Sequence, residues 1–217
     1  MRPLIITLFV ALVLGGMALP IAPAAANSVL DDGIVFPQDA EATTFANTWG
    51  APRSGGRRHQ GTDLMAPKLT PVYAIADGVV SRLHHSRLGG YGMWVDHGGG
   101  VTSVYIHLNN DTPGTDDGRG YPEWTYAPGV EVGTEVEAGQ FIAWVGDSGN
   151  AEGAAPHTHF EIHISGAKVN PYPYLRPAWE AGLEDAAPSF SPLELLLVTH
   201  RQGAVPGDVA VSDTFTD

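Results

Sequence analysis

Residues 156–164, PHTHFEIHI, alternate between polar and apolar side chains. Side chains on a β-strand point to opposite faces in turn, so this stretch predicts a strand with one polar face, formed by His157, His159, Glu161 and His163. The opposite face is apolar and comprises Phe160, Ile162 and Ile164. We predict that the apolar face packs on a core and that the polar face carries chemistry. Two histidines on one face can converge on one metal ion, although an exposed polar strand face would show the same pattern.

The rest of the chain predicts an all-β domain with a mainly antiparallel sheet. Its 217 residues include 27 Gly and 17 Pro, which separate short segments rich in Val, Ile and Tyr. This is the pattern of tight turns between short strands. The predicted strands are 71–75, 78–83, 93–96, 101–107, 141–145 and 157–164.

Composition divides the chain into four regions. Residues 1–26 contain one arginine, a long apolar run and three alanines at 24–26, which is typical of a secretory signal peptide; an uncleaved anchor is the alternative. Residues 27–50 form an N-terminal lead-in with several aromatic residues, and the main domain is 51–175. Residues 176–217 are predicted to be an acidic, partly disordered C-terminal extension. The prolines of PYPYLRP, residues 171–177, are expected to carry the chain off the sheet.

Charge and cysteine usage exclude several classes of partner. The formal net charge is −13, from 11 basic and 24 acidic residues, and it becomes about −14 once the signal peptide is removed with its arginine. Such a chain is not expected to bind nucleic acid, or a membrane after signal removal. It has no cysteine, so any metal site must use histidine and carboxylate ligands. The predicted location is secreted, periplasmic or at the cell wall.

Residues 59–63, HQGTD, carry a histidine and a carboxylate four residues apart. Gly61 and the following Pro67 argue against a helix, and an extended segment would place His59 and Asp63 on one side. Together with His159 they would provide three protein ligands and leave a fourth position open, as a catalytic zinc requires. Taken alone, HQGTD could equally be a surface turn.

Residues 101–109, VTSVYIHLN, predict a strand that ends near His107. Strict alternation would place His107 on the same face as Ser103 and Tyr105, opposite Val104 and Ile106. A histidine in such a position is more often structural than catalytic.

Three motifs, HQGTD at 59–63, YIHL at 105–108 and HTHFE at 157–161, resemble in their order those of the lysostaphin-type, LytM-like zinc metallopeptidases. These enzymes cut the peptide part of the bacterial cell wall. Segments 61–80 and 133–150 also resemble the glycine-rich hairpins of that domain, and the resemblance covers roughly residues 36–171. It implies a duplicated-hybrid-motif sheet core at 51–175 with a groove that holds one zinc ion.

The resemblance also implies roles for individual residues. The zinc ligands would be His59, Asp63 and His159, and the catalytic residues would be His107 and His157. Glu161 is the candidate hydrogen-bond partner of His159, because a ligating histidine commonly donates its other N–H to a carboxylate. The implied activity is that of a secreted zinc metalloendopeptidase that hydrolyses peptide bonds in the stem or cross-bridge of peptidoglycan.

The chain departs from the family pattern in two places. Thr158 stands where an aliphatic residue is usual, and the loop at 109–129 is longer than usual. We expect this loop, with its three aromatic residues, to form a wall of the substrate groove. Its aspartates could instead hold calcium; they are Asp111, Asp116 and Asp117.

Two other functions remain open from the sequence. The first is a non-catalytic LytM-like module that binds cell wall or activates a partner hydrolase. The second, more remote, is a serine hydrolase that uses Ser148 in the GDSG segment at 146–149.

Overall fold

The computed structural model describes residues 28–184 of the chain. Within that range the strands are β1 Thr62–Met65, β2 Pro71–Tyr73, β3 Gly78–Ser86, β4 Gly90–Asp96, β5 Val101–Leu108, β6 Glu135–Val136, β7 Phe141–Trp144, β8 His157–Ile164 and β9 Ala167–Val169. The α-helices are α1 Ser28–Asp31 and α2 Tyr172–Glu184. Neither helix has the length and apolar character needed to cross a bilayer. The predicted signal peptide and residues 185–217 lie outside the described residues.

The strands form two sheets in which every pairing is antiparallel. The larger sheet has seven strands in the order β1-β8-β5-β4-β3-β6, with β9 pairing to β8, and the smaller sheet pairs β2 with β7. The prediction of an all-β, mainly antiparallel fold is confirmed. Strand β8 lies inside the larger sheet between β1 and β5, so its polar face is held by neighbours on both sides.

The apolar face of β8 packs into the main hydrophobic core. Phe160 and Ile162 are fully buried, and the ring of Phe160 meets that of Tyr105 edge to face, with centroids 5.3 Å apart. Burying a side chain of this size contributes about 1.5–3 kcal/mol. The polar face of β8 is therefore fixed toward the groove, because a slip by one residue would bring the histidines into the core.

Six observed strands lie where the sequence predicts them, and three short strands were not predicted. Strand β1 falls within a segment predicted to be extended but not included among the predicted strands. Strands β6 and β9 have two and three residues, too few for an alternating pattern to stand out from turn sequence. Their places are set by pairing with β3 and β8.

Helix α2 begins within residues 171–177, where the prolines were expected to carry the chain off the sheet and no helix was predicted. Pro173 is the second helical residue, where no intrahelical partner for an N–H is needed. Pro177 lies inside the helix, but the buried Leu175 anchors this segment, and Trp179 donates its indole N–H to the carbonyl of Ala40 at 2.9 Å. Packing against the lead-in thus outweighs the local preference, and the helix runs across the predicted boundary between residues 175 and 176.

A candidate metal centre with two further histidines

Three ligand-type atoms meet where β1 lies beside β8. Asp63 and His159 are direct partners in the register of the two strands, and His59 precedes β1. His59 Nε2 lies 3.0 Å from Asp63 Oδ1 and 2.9 Å from His159 Nδ1. His159 Nδ1 lies 2.9 Å from Asp63 Oδ1. The structure therefore brings the three predicted zinc ligands together as a triangle of donor atoms.

This triangle opens into a groove with a volume of about 640 Å³. All six residues singled out in the sequence line the groove: His59, Asp63, His107, His157, His159 and Glu161. The triangle and both remaining histidines therefore share one opening to solvent.

The lead-in fixes the orientation of His59. The imidazole is buried, with 4% of its residue surface exposed, and its Nδ1–H donates to the carbonyl oxygen of Thr48 at 3.1 Å. The Thr48 hydroxyl lies 2.9 Å from the same nitrogen. This arrangement leaves a lone pair on Nε2, which faces the triangle. Sequence reasoning did not find Thr48, because nothing local to it indicates a contact with His59 eleven residues later.

Glu161 fixes His159 in the same way. Burial alone would raise the pKa of Glu161, but hydrogen bonds from His159, His163 and Lys168 hold that pKa well below its usual range. The resulting carboxylate accepts the Nε2–H of His159 at 3.1 Å, so a lone pair remains on His159 Nδ1. His163 contacts the other oxygen of Glu161 at 2.7 Å and does not belong to the triangle.

The donor atoms of the triangle suit a zinc ion. With the other ring nitrogens protonated, two imidazole lone pairs and one carboxylate oxygen face each other, which is repulsive unless a cation or an extra proton lies between them. Donor atoms around a tetrahedral zinc lie about 3.3–3.6 Å apart, within a few tenths of an ångström of those observed. Burial would lower the pKa of His159, but Asp63 and Glu161 raise it above its usual value, as expected of a site that favours positive charge.

His107 reaches the groove through a β-bulge and not through strand alternation. In the pairing of β4 with β5, Tyr91 is opposite Leu108 and Gly92 is opposite Ile106, so His107 is the extra residue. Its φ is +64°, in the left-handed region that side chains rarely adopt. The sequence expectation that His107 shares a face with Ser103 and Tyr105 is therefore wrong. The bulge turns the imidazole out of the core, where both of those residues are fully buried.

His107 and His157 stand next to each other beside the triangle. Their ring centroids are 5.0 Å apart, and that of His107 is 6.2 Å from the ring of His159. His107 donates its Nδ1–H to the carbonyl of Ser148 at 2.8 Å, and His157 donates its Nδ1–H to the carbonyl of Ala155 at 2.9 Å. Burial lowers the pKa of His107 to about 4, so this imidazole is neutral near pH 7 with a lone pair on Nε2.

Ser148 supports the bulge and is poorly placed as a nucleophile. Its side chain is buried, and its hydroxyl donates to the carbonyl of Leu108 at 2.5 Å and accepts the backbone N–H of Tyr91 at 3.0 Å. His107 faces its carbonyl oxygen and not its hydroxyl. These contacts hold the two strands on both sides of the bulge, and they argue against a serine hydrolase.

The long loop differs from both expectations for it. Within residues 28–184, the lining of the groove includes no residue from 109–129. A lysine occupies the centre of the acidic cluster, since Lys68 Nζ lies within 2.8 Å of Asp111, Asp116 and Asp147. Asp117 instead caps the turn through Thr112. The acidic cluster therefore already holds a cation, the ammonium group of Lys68.

Gly61 makes room for His159, and Gly61→Ala is expected to disrupt the triangle. An alanine Cβ would lie 2.5 Å from the carbonyl oxygen of Phe160 and 2.6 Å from His159 Nε2. Such overpacking costs about 1–3 kcal/mol. We expect the free energy of unfolding to fall by that amount, as measured by denaturant titration. We also expect weaker zinc binding, as measured by metal analysis. Gly182→Ala in α2 is the control and should bind zinc normally; equal binding by both variants would contradict the prediction.

Glu161→Gln is expected to weaken zinc binding by about 10–100-fold, the usual effect of removing a partner that orients a ligating histidine. The amide keeps the shape of the side chain but lacks the charge that fixes the tautomer of His159. Competition with a chromogenic chelator measures the affinity. Glu180→Gln, which alters an exposed carboxylate paired with Arg176, should bind zinc like the unaltered chain. An unchanged affinity in Glu161→Gln would show that this carboxylate does not orient His159.

Comparison with known proteins agrees with the motifs and the fold. The model of peptidase family M23 matches residues 57–117 and 123–171, which is about half of the chain and includes every residue of the triangle and both further histidines. A putative glycyl-glycine endopeptidase LytM from Ruminococcus gnavus has a similar structure, with a TM-score of 0.55 and 27% identity over 71% of this chain and 64% of that one.

Two curated relatives share sequence with this chain over a similar region. The DD-carboxypeptidase/endopeptidase Mpg of Neisseria meningitidis is 35% identical over 60% of this chain and 26% of its own length. The murein hydrolase activator EnvC of Escherichia coli is 37% identical over 58% of this chain and 26% of its own length. The chain thus spans about a quarter of the length of either relative. The resemblance seen in the three motifs is confirmed: this chain belongs to peptidase family M23.

Proposed function

We propose that the chain is a zinc metalloendopeptidase that acts outside the cytoplasm and hydrolyses a peptide bond in the stem or cross-bridge of peptidoglycan. In this proposal residues 1–26 are a cleaved signal peptide, and the peptidase domain begins at residue 51 and leads into helix α2, which continues past residue 175. The observation that carries the proposal is the triangle of His59, Asp63 and His159 with two oriented histidines beside it in one groove.

The three residues of the triangle would hold the metal ion through His59 Nε2, Asp63 Oδ1 and His159 Nδ1. A bound zinc ion supplies Lewis acidity, which polarises the carbonyl of the peptide bond and makes an attacking water more acidic. Thr48 and Glu161 would keep His59 Nε2 and His159 Nδ1 available to the ion by accepting the proton of the opposite ring nitrogen.

The other two histidines would move the protons. His107 is neutral and presents a lone pair on Nε2, so it can accept a proton from the attacking water. His157 is partly exposed and would donate a proton to the leaving amine. Because both rings are held through Nδ1 by backbone carbonyls, each presents Nε2 toward the substrate and cannot exchange the roles of its two nitrogens without losing a hydrogen bond.

The comparisons support peptidoglycan as the substrate without selecting the bond. The relatives are named for DD-carboxypeptidase and endopeptidase activity, for glycyl-glycine endopeptidase activity and for murein hydrolase activation. The similarity to the activator favours a second candidate, a non-catalytic module that binds the wall or stimulates a partner. The presence of all five histidine and aspartate side chains in one groove favours the enzyme.

Product analysis tests the proposal. Purified peptidoglycan is incubated with residues 27–217 in three parallel samples: without chelator, with chelator, and with chelator followed by added zinc. The material released in each sample is examined by mass spectrometry. We expect peptides with new amino termini, loss of release with chelator and recovery with zinc. No release from walls of several chemistries, combined with stimulation of a separate hydrolase, would support the non-catalytic candidate instead.

A further inference from the structure

A turn rich in arginine, residues 53–58 (RSGGRR), stands at the rim of the groove directly before His59. Backbone contacts close the turn: Arg53 N–H donates to the carbonyl of Arg57 at 2.9 Å, and Pro52 pairs with Arg58. Gly55 and Gly56, with φ of +70° and +74°, allow the tight reversal. The turn thus fixes the arginine backbones relative to the proposed metal ligand His59.

The groove is positively charged in a chain that is otherwise acidic. Residues 28–184 contain nine basic and 19 acidic residues. Four of the nine basic residues line the groove, but only two of the 19 acidic residues do; the basic ones are Arg53, Arg57, Arg58 and Lys168 and the acidic ones Asp63 and Glu161. This concentration of basic residues is the opposite of what the overall charge would produce, and it favours an anionic ligand.

Two of these cations are left without an acidic partner. Arg53 is paired with Asp63 Oδ2 at 2.5 Å, and Lys168 is paired with Glu161 at 2.8 Å. Among the side chains described at residues 29–183, neither Arg57 nor Arg58 forms an ion pair. The positive charge available to a ligand therefore comes from this adjacent pair.

Both guanidinium groups are steadied by neutral acceptors and keep unused donors. Arg57 donates from Nε to the carbonyl of Ser54 at 3.1 Å and from Nη2 to its hydroxyl at 3.2 Å. Arg58 donates from Nη1 to the carbonyl of Gly50 at 3.2 Å. A guanidinium has five N–H donors, in a planar arrangement that matches the two oxygens of a carboxylate. The remaining donors can bind such a group without breaking the existing bonds.

We propose that Arg57 and Arg58 form a carboxylate-binding subsite at the rim of the groove, so that the chain selects peptides with a free carboxylate close to the scissile bond. The inference rests on the proposed peptidase function and makes its substrate class narrower. An uncharged glycine bridge gains nothing from this subsite, whereas an acidic stem peptide does. Amidation of the carboxylate removes the charge and with it the preference.

The test compares two synthetic stem peptides that differ at one position. The side-chain or α-carboxylate closest to the scissile bond is free in one peptide and amidated in the other. With the zinc-loaded chain we expect kcat/KM to be about 10–100-fold higher for the free acid. In the variant carrying both Arg57→Gln and Arg58→Gln the difference should disappear through a higher KM for the acid, with kcat and cleavage of the amide unchanged. Arg176→Gln, which alters an arginine of α2 paired with Glu180, should keep the full preference.

Calorimetry of the same peptides binding to the His107→Ala variant measures the contribution of the subsite to affinity without interference from turnover. We expect the free acid to bind about 10–100-fold more tightly there as well. Equal cleavage of the two peptides by the unaltered chain would overturn the subsite and leave the peptidase function standing. Equal loss of cleavage of both peptides in the double variant would also overturn it. Absence of cleavage together with a retained binding preference would overturn the peptidase function alone.

Discussion

Replacement of His159 by alanine should remove both the zinc and the activity. His159 provides one of three protein ligands, and structural zinc sites with four ligands bind with about 10–16 kcal/mol, which is roughly 2.5–4 kcal/mol for each ligand. The affinity should therefore fall by at least about 10²–10³-fold. The loss of zinc is measured by metal analysis after dialysis, and the loss of activity by the release of peptides from peptidoglycan. Asp63→Ala should show the same two losses.

His163→Ala is the matched control for this variant. His163 lies on the same face of β8, and it contacts Glu161 but none of the three donor atoms of the triangle. This variant should retain the ion and most of the activity, because Lys168 still binds Glu161 at 2.8 Å. If His163→Ala lost zinc as readily as His159→Ala, the assignment of the ligands would be wrong.

The second large effect is expected from His107→Ala, which should keep the metal and lose the rate. Positioned acid–base groups contribute about 10²–10⁴-fold to catalysis, so kcat should fall by that factor. His107 lies outside the triangle and is held by Ser148, so the zinc affinity should stay at its normal value. Steady-state cleavage of a stem peptide and metal analysis of the same preparation provide both numbers.

His107→Asn controls for the backbone at this position. Asparagine tolerates the left-handed conformation better than most residues, so this variant keeps the bulge while lacking an imidazole. We expect it to be as inactive as His107→Ala and equally rich in zinc. Loss of zinc from both variants would mean that His107 supports the metal centre and is not a separate catalytic group.

Strand β8 shows how much of the site could be predicted from sequence. Alternation along residues 157–164 places the correct residues on the groove face, because the requirement to bury Phe160 and Ile162 permits only one register. The same argument gives the proximity of His159 to Glu161, since residues two apart on a strand share a face. The spacing of His59 and Asp63 in an extended segment made them candidate ligands, and the family resemblance was needed to favour this interpretation over a surface turn.

Other features depend on contacts that no local pattern reveals. His107 reaches the groove through a bulge, and alternation alone predicts the wrong face for it. Thr48 orients His59 across the chain, and the carbonyl of Ser148 orients His107 from a turn that resembles a protease motif. Helix α2 forms in spite of Pro177 because its packing on the lead-in compensates locally unfavourable sequence. Each of these features depends on a contact between separate segments of the chain, and the sequence of one segment alone does not reveal it.

Anomalous diffraction at the zinc edge, from crystals of residues 27–217 grown with zinc, tests the metal centre most directly. The predicted result is one peak at about 2.0–2.2 Å from His59 Nε2, Asp63 Oδ1 and His159 Nδ1, with His107 and His157 beside it and not bound to it. A peak held by His107 or His163, or no peak at the triangle when zinc is present, would contradict the proposed site.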